Sequence, residues 1–165
     1  MPGGRPVSFF DYPSETPAAP AGPVDVLLAD ASDAEWTTLL AHTQQHRFEA
    51  GDAIMTEGDH DRSLYLVLEG QLEVLAPRGR RGAYRKIALV ASGSVIGELA
   101  FFDGGARSAM VRAATPAVLA EMSPASFDAL AADSPAVARQ LLFDLGRILA
   151  RRLRAAQAAP TAGGN

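Results

Sequence analysis

Glu98, Arg107 and Ser108 stand in one short stretch, Gly97-Glu98-Leu99-Ala100-Phe101-Phe102-Asp103-Gly104-Gly105-Ala106-Arg107-Ser108-Ala109. Residues 98–102 hold no glycine or proline and can form a single helical turn. Such a turn between two strands leaves unpaired N–H groups at its start, which favour an anion. Arg107 adds a forked donor that is always charged. Ser108 adds a hydroxyl and a backbone N–H. Glu98 is an acceptor, and an acceptor beside an anion makes sense if the ligand also carries hydroxyl donors. A phosphorylated sugar meets both demands. The competing reading is a Glu98–Arg107 ion pair that only braces the turn.

Other chemistry has little to work with. No Gly-x-Ser-x-Gly, His-Glu-x-x-His or Gly-x-x-x-x-Gly-Lys motif occurs. Glu98 has no nucleophile or second acid placed with it, so no enzyme is expected. The chain has no cysteine, which removes disulfides, thiolate catalysis and cysteine-held metals. His42 and His46 are four apart but lack a third ligand, so no metal site is expected.

The elements that must carry this stretch follow from size and pattern. The chain has 165 residues, 48% of them hydrophobic and 21% charged, which suits one globular domain. A net charge of -4 argues against a nucleic-acid binder. Residues 1–23 are proline-rich and read as a flexible leader, with Phe9, Phe10 and Tyr12 as its sticky feature. Ser32 and Glu35 fit a capping box that opens a helix over 32–45. From 47 to 122 the pattern is short β-type runs at 53–56, 63–68, 71–76, 83–90, 107–114 and 117–122, separated by glycine turns. Ser123-Pro124 and Ser134-Pro135 open helices over 124–132 and 135–157. Residues 158–165 read as a disordered tail. The domain proper is expected over 24–157. Its class is α+β, mainly β: an antiparallel, jelly-roll-like β-roll with an N-terminal helix, a short helical turn, and two C-terminal helices, the last one long.

The central stretch resembles the phosphate-binding cassette of the cyclic nucleotide-binding domain family. That family includes bacterial catabolite activator-type regulators, protein kinase A regulatory subunits and cyclic-nucleotide-gated channels. Its pattern G-E-[LIV]-[AG]-x(n)-R-[ST]-A is met by Gly97, Glu98, Leu99, Ala100, Arg107, Ser108 and Ala109. Flanking motifs fit as well: F-x-x-G-D from Phe48, E-G-D from Glu57, L-Y-x-[VIL]-L-x-G from Leu64, and G-x-x-x-G-E from Gly93. The resemblance runs over about residues 24–154. It implies a non-enzymatic sensor whose ligand is cAMP or cGMP, with no cofactor. Glu98 then takes the ribose 2′-hydroxyl. Arg107 takes the cyclic phosphate, helped by Ser108 and the amides of Leu99 and Ala100. Leu99 and the apolar interior cover ribose and base, and Gly97 lets the backbone approach. A ligand of about 22 heavy atoms at roughly 0.3 kcal/mol each implies micromolar affinity. Haem, carried by some relatives, needs an axial ligand, and His42, His46 and His60 lie outside the cassette.

The resemblance also fails in places. Catabolite activator-type proteins read adenine with Thr-Ser after an A-R-R-L run of the last helix. Here Ala150-Arg151-Arg152-Leu153 is followed by Ala155 and Ala156 at those positions, which have no donors or acceptors. Ser108, where some relatives use Thr for guanine, leans the expectation towards cAMP. The residues after Gln157 cannot hold a DNA-reading unit, so no DNA contact is expected from this chain. Basic clusters at Arg78, Arg80, Arg81, Arg85 and Lys86, and at Arg147, Arg151, Arg152 and Arg154, read as solvated surface or as docking for an acidic partner. Open partners are a second copy through the last helix, and a membrane protein or other effector. A nucleotide-independent scaffold of the same fold, or a transporter's regulatory domain, is the alternative. The N-terminus lacks a signal-peptide pattern, and the expected location is cytoplasmic.

Overall fold

The computed structural model describes residues 27–78 and 82–158. The proline-rich leader, Arg80 and Arg81 of the basic cluster, and the tail beyond Ala158 lie outside the described residues. In chain order the elements are α1 (Asp33–Ala41), β1 (Gln44–Phe48), β2 (Ala53–Met55), β3 (Leu64–Glu69), β4 (Gln71–Pro77), β5 (Tyr84–Ala91), β6 (Val95–Ile96), α2 (Glu98–Asp103), β7 (Met110–Ala113), β8 (Ala117–Met122), α3 (Pro124–Asp133) and α4 (Pro135–Ala158). The strands form two antiparallel sheets, ordered β1-β8-β3-β6 and β2-β7-β4-β5. This is the β-roll expected from the glycine-punctuated runs.

Ser32 caps α1 as its capping box requires. Its hydroxyl accepts from the Glu35 amide at 3.3 Å, and the Glu35 carboxylate accepts from the Ser32 amide at 2.7 Å. The backbone bond, then the hydroxyl, hold the Glu35 carboxyl below its ordinary range. The helix then stops at Ala41, short of the expected 45, and the roll begins at Gln44 instead of 47. The cause is tertiary. β1 runs antiparallel to β8, with Gln44 opposite Glu121 and Phe48 opposite Ala117. The sequence Gln-Gln-His-Arg-Phe has no apolar alternation to announce a strand, so only its ladder makes it one.

Two other boundaries move for similar reasons. β6 has only two residues and stands outside the expected runs; it exists because Tyr65 and Leu66 of β3 pair with it. β7 starts at Met110, since Arg107 to Ala109 leave the ladder to line a cleft.

Strand alternation builds two cores. Leu64 and Leu66 of β3 face the helices and pack with Leu39, Leu130, Leu141 and Leu145. Val67 of β3 joins Leu119, Leu72, Val111 and Met55 between the sheets. The expected apolar stripe of α4 divides: Leu141, Leu145 and Ile148 are buried, Leu149 and Leu153 are half-buried, and Leu142 is exposed. No residue of α4 beyond Ile148 is buried. Among the described residues, no helix is long and apolar enough to cross a membrane.

The core also reaches upstream of α1. Leu27 and Leu28 are buried. The Leu27 amide donates to Gly93 O at 3.1 Å, and the Leu28 amide donates to the Asp144 carboxylate of α4 at 3.0 Å. Leu28 is held at a φ of 53°, a left-handed conformation that this burial and bond must sustain.

Gly70, between β3 and β4, has φ +86°, and an added Cβ would lie 2.3 Å from Pro116 O. Gly70→Ala is therefore expected to destabilise the domain by more than about 1 kcal/mol, read as a lower urea midpoint with unchanged slope.

Candidate functional site

α2 is framed by glycines in the left-handed region, Gly97 at φ 80° and Gly104 at φ 69°. At Gly97 space matters as much as conformation. A Cβ there would lie 2.5 Å from Arg107 Nη1, 2.7 Å from the Met55 methyl and 2.9 Å from Ser63 O. Only a bare backbone lets the guanidinium lie this close.

Arg107 is 4% exposed. Its Nη1 donates to Gly97 O at 3.0 Å, and its Nη2 donates to Ser63 O at 2.5 Å and to the Asp61 carboxylate. Its Nε is buried without a protein partner. Burial pushes the Asp61 carboxyl up, but bonds from the Ser63 amide and from Arg107 outweigh it, leaving Asp61 below its ordinary range. Tyr65 is pushed up to about 12, by burial first and then by the Glu121 and Asp61 carboxylates. The Ser63 hydroxyl donates to Glu121 at 2.7 Å, and Glu121 meets His46 Nε2 at 2.6 Å.

Glu98, also 4% exposed, does not pair with Arg107. The bracing ion pair considered above is thus replaced by two separate pairs, Arg107–Asp61 and Glu98–Arg152. Arg152 comes from α4 and also donates to Val95 O at 3.1 Å. Arg152 departs from the reading of the last-helix arginines as a solvated or docking cluster, because it closes on the roll; Arg147 stays exposed and pairs with Asp144 at 3.2 Å. In the hairpin cluster, Lys86 pairs with Glu73 of the neighbouring strand at 3.4 Å. His42 and His46 turn to different partners, Asp133 and Glu121.

One cleft of about 590 Å³, its open mouth included, gathers these groups. Gly97, Glu98, Leu99, Ala100, Arg107, Ser108 and Ala109 all line it, with Arg152 and an apolar wall of Met55, Val74, Val90, Ile96 and Val111. Ala155 and Ala156 do not line it. Sequence reasoning missed Asp61, Ser63 and the role of Arg152. Asp61 and Ser63 sit just before the motif starting at Leu64, which was the available signal. Nothing local marks Arg152, whose partner Glu98 is 54 residues away.

The sequence profile described as "Cyclic nucleotide-binding domain" matches residues 45–134. The chain belongs to the cyclic nucleotide-binding domain family. It is 31% identical over 121 residues to the cAMP-activated global transcriptional regulator CRP of Escherichia coli O157:H7, covering 73% of this chain and 54% of that protein. The solved Thermus thermophilus catabolite activator protein is similar with a TM-score of 0.70 at 29% identity, over 79% of this chain and 59% of that one. A cyclic nucleotide-binding domain from Methylobacillus flagellatus gives a TM-score of 0.73 at 29% identity, over 84% of this chain and 79% of that one. The chain spans about half the length of the curated relative it matches.

The Asp61 shift has a consequence for acid stability. A carboxyl depressed by folding contributes stability that is full above its unfolded pKa, near 3.9, and is lost as pH falls through its lower folded value. Asp61→Asn is expected to be less stable than the parent at neutral pH, with the gap shrinking below about pH 4. Urea midpoints of both proteins against pH test this; a gap that stays constant down to pH 2 contradicts it.

Proposed function

We propose that this domain is a non-enzymatic cytoplasmic sensor that binds a cyclic nucleotide in the β-roll and transmits binding to α4. The observation that carries the reading is the buried Arg107, a cleft-lining residue whose Nε has no partner in the protein, together with the buried acceptor Glu98 in the same lining. The cyclic phosphate pairs with Arg107, and Ser108 and the amides of Leu99 and Ala100 add donors. The ribose 2′-hydroxyl donates to Glu98. cAMP is the favoured ligand, in line with the names of the curated relatives.

Transmission follows from sharing. An ionised carboxylate has about four acceptor sites, so Glu98 can hold Arg152 and a ribose hydroxyl together. A filled cleft then favours the docked posture of α4, and by linkage a docked α4 favours the ligand. Beyond Ile148 no residue of α4 is fully buried, and Arg152 ties that half of the helix to Glu98 and Val95 O.

Thermal unfolding tests binding. At a hundredfold excess over Kd, cAMP is expected to add about 2.7 kcal/mol of stability, read as a raised Tm, and Arg107→Ala is expected to abolish the rise. No rise with cAMP or cGMP at millimolar concentration overturns the reading. Amide exchange tests transmission. With each protein saturated with ligand, exchange over residues 149–158 is expected to slow in the parent but not in Arg152→Ala.

One observation favours a second reading, a nucleotide-independent scaffold. The three charged groups that line the cleft, Glu98, Arg107 and Arg152, already have ionic partners within the chain. The same unfolding experiment separates the two.

A further inference from the structure

Few of the side chains that line the cleft are polar. Apart from the Met55 thioether, its polar side chains are Glu98, Arg107, Ser108 and Arg152. Arg107 is tied to Asp61, Ser63 O and Gly97 O, and Ser108 follows it in the chain. Those groups serve the phosphate and ribose in the reading above. The rest of the wall is Val74, Val90, Val111, Ile96 and Leu99.

Much of the apolar wall is strand. Val74 sits in register between Ala88 of β5 and Val111 of β7, and Val90 pairs opposite Leu72. Both valines thus sit on paired strands, with a register shift in the β4–β5 ladder just after Val74. Arg152 is the remaining polar group, and two of its five donors go to Glu98 and to Val95 O. An arginine held by its edge offers a base its flat face. Stacking on that face is open to any purine.

Adenine and guanine differ in the donors and acceptors along their edges. A site that hydrogen-bonds such an edge can reject the wrong partner by about 10⁴-fold, whereas apolar contact discriminates far less. We infer that this cleft selects a cyclic ribose phosphate and not a particular purine, so that cAMP and cGMP bind within about tenfold of each other. The weak lean towards cAMP falls inside that range. The inference rests on the function proposed above and names the ligand class of the same site.

Isothermal titration of the full chain with cAMP and, separately, cGMP tests it, together with Ser108→Ala. Ser108 is exposed, so its replacement leaves the core untouched. The expected result is two dissociation constants within about tenfold, and a similar weakening of both in Ser108→Ala. A preference above tenfold for either nucleotide overturns the inference while leaving the sensor reading intact. So does a Ser108→Ala variant whose preference changes by more than tenfold, because the serine is then reading a base. Failure of both nucleotides to bind overturns the sensor reading, and this inference with it.

Discussion

The burial of one guanidinium organises this domain. Taking a charge out of water costs several kcal/mol unless it is paired and hydrogen-bonded. Arg107 meets that demand with three oxygens: Gly97 O, Ser63 O and Asp61. Each sets a condition on the chain. Gly97 must lack a side chain, because Arg107, Met55 and Ser63 crowd the position of a Cβ. The segment before β3 must bring Asp61 and Ser63 beneath the guanidinium. α2 must be short enough, six residues, to return the chain to Arg107. The Nε left without a partner marks where this satisfaction is incomplete, on a residue that lines the cleft.

The second charge pair extends this arrangement to the C-terminal helix. The first half of α4 is fixed by apolar burial through Val137, Leu141, Leu145 and Ile148. Asp144 strengthens that half by accepting the Leu28 amide, itself next to a residue bonded to the roll at Gly93. The second half is different. It meets the roll through Arg152, on Glu98 and Val95 O. This helix is clamped by apolar burial at one end and held by a polar contact at the other, and polar contacts exchange partners at small net cost.

Much of the architecture was legible from local chemistry. The capping box at Ser32 and Glu35, the Ser-Pro starts of α3 and α4, and most strands of the roll follow from nearest-neighbour preferences and alternation. The failures share one cause. β1 is polar along its length and β6 has two residues, so neither carries a period; both are strands because a partner strand pairs with them. Arg152 looked like its exposed neighbours because side-chain type says nothing about which face of a helix meets a distant carboxylate.

Residue order alone therefore specified the cassette, its glycines and its two charged residues, Glu98 and Arg107, since those depend on spacing within a dozen positions. Folding in three dimensions assigned the partners. It gave Arg107 to Asp61 and Glu98 to Arg152, residues 46 and 54 positions away. Electrostatic pairing depends on distance in space, and only the packing of β3, α2 and α4 around one cleft sets those distances.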